Sequence, residues 1–530
     1  MHALLIVSAL ALADASGQHH DHSEKLGKVA FPNSCSQAAQ ESFLRGVALL
    51  HSFEYVPAET AFNQAAAADP TCAIAHWGAA MSLYHPLWAP PTAAELERGR
   101  TAVGKAVSTP AKTERERDYV GAIAAFYRDS DKLDHKTRAL AYNSAMATLY
   151  KRYPQDHEAA VFYALSQAAA GTFDNDPTFA REKDAAAILS KVLQEEPDHP
   201  GVAHYLIHSF DYPPLAGLAV PAAKRYASIA PDSPHAQHMP SHIFTRLGMW
   251  DDSIASNLKS AAAAQAQMKR AGFDGASREE LHAMDYLTYA YLQTGRDKAA
   301  EGVRAHLYSM QKVDEPIFSV AFAATAIPAR LALERRRWAE AAKLELPANV
   351  RNLAPLDNFR WGEAHIRFAR AIGAARSGDT AVARIEIAGL NEIEQAMKIP
   401  PGTYDWKTQV SIERQIAQAW LARAGRHDEE ALQLMKSAAD LDDATEKHPV
   451  TPGAILPARE EYAELLLELG RPAEALAQYE VSMKRAPMRL ASVRGAARAA
   501  TLAGNRAQAQ VYNRQLRALT KNGDAQTASR

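Results

Sequence analysis

Apolar residues recur along the chain at three- and four-residue intervals, in alanine-rich runs bounded by Gly or by Asp-Pro and Glu-Pro, a spacing that predicts helix after helix. No run of alternating β-branched residues predicts a strand, so the fold class expected is all-α. The boundaries between helices are periodic. Pro197 and Pro231, each closing a helix, lie 34 residues apart, as do Gly470 and Gly504, each in a turn before a small-residue helix. Pro154 to Gly171 and Pro231 to Gly248 are both 17 residues, half that period.

A 34-residue unit of two helices, with Gly in the middle turn and Pro at the end, resembles the tetratricopeptide repeat family. Further units fit around Ala58-Phe62-Ala65-Asp69-Pro70, Tyr291-Gly295-Ala300, Gly378 and Gly425, so the resemblance covers most of residues 36–515; residues 71–150, 300–360 and 385–455 keep the period loosely. It implies an α-solenoid, a superhelix whose concave groove, lined by the first helices, holds a peptide, protein or small ligand. The segments His199-Pro-Gly-Val-Ala-His-Tyr-Leu-Ile-His208 and Pro234-His-Ala-Gln-His-Met-Pro-Ser-His-Ile-Phe244 are similar to those of a group of exported bacterial tetratricopeptide-repeat proteins. That likeness implies the fold and export.

The groove-facing positions carry the candidate chemistry. In residues 203–211, Ala203, Ile207 and Phe210 form the apolar stripe, while His204, His208 and Asp211 form a polar stripe one residue further round. His238 and His242 repeat His204 and His208 one 34-residue period later. In the following unit the same places hold Asp285 and Tyr289, and His282 matches His235. Other well-registered units hold Val161 and Leu165, Glu460 and Glu464, or Arg494 and Arg498 there, so the histidines belong to a site and not to the repeat. Two histidines at i and i+4 chelate one cation from one helix face, and adjacent helices about 8–10 Å apart bring two such pairs to one ion or a close pair of ions. The expected ligand set is His204, His208, His238 and His242, with Asp211, His235, His282 and Asp285 beside them. Tyr212, Arg246, Tyr289 and His85 are the candidate ligand-facing residues of the groove. His85 lies in an aromatic patch with Trp77, Tyr84 and Trp88. Pro240, between His238 and His242, is expected to kink or restart its helix at a cost of about 3 kcal/mol.

Composition narrows the partners and the metal. Lys+Arg number 59 against 61 Asp+Glu, so no basic excess exists to hold a nucleic acid. With only two cysteines, thiolate clusters are excluded, and any metal rests on the 20 histidines and the carboxylates. Imidazole suits Zn, Cu, Ni or Fe. Residues 1–17 read as an export signal, with an apolar run from Ala3 to Leu12 too short to span a bilayer, and no transmembrane span is expected after its removal. A His-containing tail (18–34), the array (35–515, with His-rich central units at 197–300) and a disordered tail (516–530) complete the expected organisation. Export gives a periplasmic or secreted location, where Cys35 and Cys72, at adjoining ends of the first helix pair, should form a disulfide. Three functions fit: a metal-binding scaffold, a metal-independent peptide- or protein-binding module, and a metal-dependent hydrolase or oxidase.

Overall fold

The computed structural model describes residues 24–524 apart from Trp88 and Asn175, so the expected signal segment, the start of the His-containing tail and Trp88 lie outside the described residues. The described chain is a tetratricopeptide-like all-α solenoid: most helices pack on the next, and many pack on the next but one. Its β-structure, among the described residues, is one isolated bridge between Ala276 and Val313. Side chains of Asp134, Asp156 and Ser233 start helices by accepting from the backbone amides of Thr137, Ala159 and Ala236. Gly295 and Gly504 carry φ of +69° and +75° in the turns after the helices Arg278–Gln293 and Leu490–Leu502, which is the left-handed backbone the periodic glycines imply. Gly171 departs from that role. It ends the helix His157–Gly171, and a Cβ there would collide with the Glu182 carboxylate, so close packing and not a turn requires it.

Both ends of the array extend further than the sequence suggested. Phe31, 2% exposed, sets its ring against Phe43, Trp77 and Tyr119, so residues 24–34 are part of the packed array and not a tail. The last helix, Arg506–Leu519, runs past residue 515, and the Asp524 amide donates to the Gly295 carbonyl at 2.8 Å. No described helix is long and apolar enough to cross a membrane.

Two apolar cores divide the array. One gathers residues from Leu26 to Phe244, and the other runs from Ala276 to Ala509. At their seam the concave side is not an open groove, because the segment between the helices Asp428–Asp443 and Ala458–Glu468 folds into it. Val450 from that segment joins the first core, Lys447 Nζ lies 3.2 Å from Asp211 Oδ2, and Glu446 accepts from Arg246 at 2.5 Å. Arg330 donates to the Gly453 carbonyl at 2.6 Å. The buried Arg489 guanidinium donates to Glu334, Glu460 and the Tyr289 hydroxyl, tying the distal repeats back to the central ones.

Cys35 and Cys72 are joined in a disulfide with Cα atoms 4.9 Å apart, linking the entrance of the helix Gln37–His51 to that of Ala73–Met81. It closes a loop with a sequence separation of 37 in the first helix pair. Thiol titration in denaturant should therefore find no free thiol, and the Cys35→Ser/Cys72→Ser variant should lose about 3–4 kcal/mol in chemical denaturation.

Candidate metal centre

The site is built where four helices from both sides of the seam meet. His204 and His208 come from Pro200–Phe210, His235 and His238 from Pro234–His238, His242 from Pro240–Arg246, and His282 from Arg278–Gln293. Pro240 does restart the helix, but Met239 between the two short helices keeps helical angles (φ −53°, ψ −36°). The i, i+4 relation of His238 and His242 survives, with Nε2 atoms 3.0 Å apart.

The six rings fall into two triads. In the first, His204 Nε2 lies 3.1 Å from His208 Nε2 and 3.2 Å from His235 Nε2. In the second, His238, His242 and His282 bring ring nitrogens within 4.8 Å of one another. Ring centroids of His208 and His242 are 6.1 Å apart, and those of His235 and His238 are 6.2 Å apart, so the triads adjoin without merging. His208 is half-buried and the other five are buried. The four histidines expected to converge are divided between the two triads, His204 and His208 in one and His238 and His242 in the other, and His235 and His282, expected beside them, complete each set.

What lies behind the rings decides their chemistry. His204 Nδ1 donates to the His51 carbonyl at 2.6 Å, and His242 Nδ1 donates to Asp211 Oδ2 at 3.0 Å. His238 Nδ1 faces Asn257 Oδ1 at 2.6 Å, and the Asn257 amide is oriented by its own donation to the Ser253 carbonyl. His235 Nδ1 lies 3.5 Å from Glu279 Oε2. An oxygen acceptor behind Nδ1 fixes the proton there and leaves the lone pair on Nε2. His238 and His242 therefore aim two lone pairs at each other across 3.0 Å, an arrangement that could hold a cation between them. Burial, followed by the mutual repulsion of their neighbours, holds His204, His208 and His238 well below the ordinary imidazole range. Burial also lowers His242 to about 4, against the pull of Asp211, and His282 to about 3. These rings are neutral at pH 7, the form that binds metal.

Asp211 is a partner of His242 and not a ligand. Its other contacts are Arg246 Nε at 2.8 Å and Lys447, and although burial opposes ionisation these cations hold its carboxyl well below the usual range. Asp285, expected beside the ligands, is instead paired with the buried Arg330. Of the groove candidates, Arg246 is consumed by Asp211 and Glu446, and Tyr289 accepts from Arg489. Tyr212 turns away, with its ring on Phe179 and its hydroxyl 3.5 Å from Glu182. His85 lies in a separate cavity of about 300 Å³ lined with Tyr84, His135, Phe173, Tyr404 and His448.

Several residues of the site escaped the sequence reading. Phe53 has φ +56° and sets its ring 4.3 Å from His204, 5.4 Å from His208 and 5.6 Å from His235, while Tyr286 stacks on His242 at 5.1 Å. For Asn257 a signal existed: Ser253, Asn257 and Ser260 form a polar stripe at i, i+4 and i+7 on the helix Trp250–Arg270, and all three are buried.

A third group, His51, Glu158 and His199, behaves differently. His199 Nδ1 accepts from the Val202 amide, so its proton sits on Nε2 and is donated to Glu158 Oε1 at 3.2 Å. His51 Nε2 reaches Glu158 Oε2 at 2.8 Å, and its Nδ1 lies 3.0 Å from the Tyr205 hydroxyl. These are donors to a carboxylate, not lone pairs awaiting an ion. The cluster fixes the end of the helix whose His51 carbonyl orients His204. Glu158→Gln would set an amide N–H against one of the two imidazole N–H groups and should cost about 1–3 kcal/mol in chemical denaturation.

No protein-family model matches the chain, and no curated protein matches it. Among solved structures it is similar to a human IFIT1 dimer with PPP-AAAA, at 12% identity and a TM-score of 0.40 over 92% of this chain and 96% of that one. A human IFIT1 dimer with m7Gppp-AAAA is similar at 12% identity and a TM-score of 0.38, over 84% and 90% of the two chains.

Proposed function

We propose that the protein is an exported helical-repeat scaffold that holds a transition metal through His204, His208, His235, His238, His242 and His282. The observation that carries this reading is the facing pair of Nε2 lone pairs on His238 and His242, each fixed by an oxygen acceptor behind Nδ1. Hydrogen bonding alone cannot satisfy two acceptors at that distance, whereas one cation satisfies both. Export is supported by the Cys35–Cys72 disulfide, a bond that persists in oxidising compartments. A tetratricopeptide-like scaffold also suits protein binding. In this chain the concave side of the central units is taken up by residues 446–453, which favours the metal over a peptide there.

Elemental analysis of protein purified without a polyhistidine tag should find stoichiometric transition metal. The His208→Ala/His242→Ala variant should lose it while keeping its helical circular dichroism, and full retention of metal by that variant would overturn the assignment. Asn257→Ala, which removes an acceptor behind a ligand and leaves the ligands in place, should weaken metal affinity by about 10–100-fold in competition with a chelator.

A further inference from the structure

Resting on the metal reading above, we infer that the centre holds two copper(I) ions, one per triad, and binds dioxygen between them. The first ground is the number of donors and their spacing. Nitrogens at about 2.0–2.1 Å from one metal ion stand a little over 3 Å apart; His238 and His242 are 3.0 Å apart, His204 stands 3.1 Å from His208 and 3.2 Å from His235, and ring nitrogens of each triad, one per residue, lie within 4.8 Å of one another. Three imidazoles per ion leave a coordination position open. The triads adjoin, with ring centroids of His208 and His242 6.1 Å apart and those of His235 and His238 6.2 Å apart, close enough for one diatomic molecule to reach both ions.

The second ground is charge. Imidazole brings no charge of its own to a metal it binds, and Asp211 and Glu279 are already paired with cations: Asp211 with Arg246 and Lys447, and Glu279 with Arg278 at 3.4 Å. Two divalent ions would bring four uncompensated charges into a buried site, and two copper(I) ions bring two. Since desolvation of charge is the dominant cost, the monovalent pair is the better fit. Imidazole donors admit copper along with zinc, nickel and iron, and of these copper has the monovalent state the charge argument calls for.

The third ground is the surroundings. The rings beside the ligands are Phe53, Tyr226 and Tyr286, each nearly fully buried, with Tyr226 stacked on His204 at 5.1 Å. An apolar enclosure of this kind suits a small apolar molecule better than a polar ester or phosphate. Dioxygen is such a molecule, and copper is among the metals that handle it. Each copper(I) gives up one electron and becomes copper(II), dioxygen accepts the two electrons and becomes peroxide bound to both ions, and no proton or further reactant is required. Release of dioxygen returns both electrons.

The test uses the full chain, freed of metal and loaded anaerobically with copper(I) or, in parallel, with zinc. Two coppers per chain are expected. On admission of oxygen, one dioxygen should be taken up per chain, a near-ultraviolet absorption band should appear, and the oxidised protein should lack the paramagnetic resonance of isolated copper(II). His208→Ala and His282→Ala, each disabling one triad, should each keep one copper and take up no dioxygen, with circular dichroism reporting that they fold. Two coppers without oxygen uptake, a single copper per chain, or an isolated copper(II) signal would each overturn this inference. Binding of zinc without copper would overturn it while leaving the metal reading intact, and retention of neither metal would overturn both.

Discussion

A buried histidine has two ring nitrogens to satisfy, and only one proton when it is neutral; that accounting governs the centre of this molecule. Where a carbonyl, carboxylate or amide oxygen stands behind Nδ1, the ring is committed as a donor on that side and as a lone pair on the other. His204, His238 and His242 are committed in this way by His51, Asn257 and Asp211, residues drawn from helices on three sides. Reversing the acceptor reverses the role. His199, whose Nδ1 accepts from Val202, can only donate from Nε2, and it does so to Glu158. The same residue type thus serves as a lone-pair donor in one cluster and as a hydrogen-bonded anchor in the cluster beside it.

The repeat supplies the means of bringing six rings together. In a solenoid each unit packs only on its neighbours, so equivalent positions of successive units stack along one inner face. His204 and His238 occupy such positions, one period apart. The same inner face carries Tyr289 in the central array and Glu460 and Glu464 in the distal one, where those carboxylates meet Arg489, Arg336 and the Tyr479 hydroxyl. The array thus uses one inward register for polar networks throughout and changes only the chemistry placed in it.

The sequence announced this register because period and residue type are both local properties. Gly295, Gly470 and Gly504 mark turns wherever they stand, and an i, i+4 histidine pair shares a face wherever its helix lies. The expectation failed where long-range closure decides the outcome. Nothing in residues 446–453 advertises that Val450 enters a core made mostly of residues 26–244, or that Lys447 reaches Asp211 across more than 200 positions. Asp285 was misplaced for a different reason: its partner Arg330 lies on Phe318–Glu334, which packs directly on Arg278–Gln293 but falls in a stretch where the period is loose. The polar stripe Ser253–Asn257–Ser260 was legible in principle, but its meaning depends on knowing that His238 lies opposite.

Placing the centre at the seam of two cores has a mechanical consequence. His204, His208, His235, His238 and His242 ride on helices of the first core, and His282 rides on a helix that packs into the second. An ion held by the second triad would therefore tie the two halves together, as the pairing of Arg246 with Glu446 does. Solenoids bend most readily between repeats, because each interface there is small and unsupported by distant contacts. The charged ties and the histidines stand together at the seam, where neighbour packing alone is weakest. Rigidity at the seam is also what a close pair of coordination sites needs, because a shift of one half against the other would move His282 away from His238 and His242 and open the second triad.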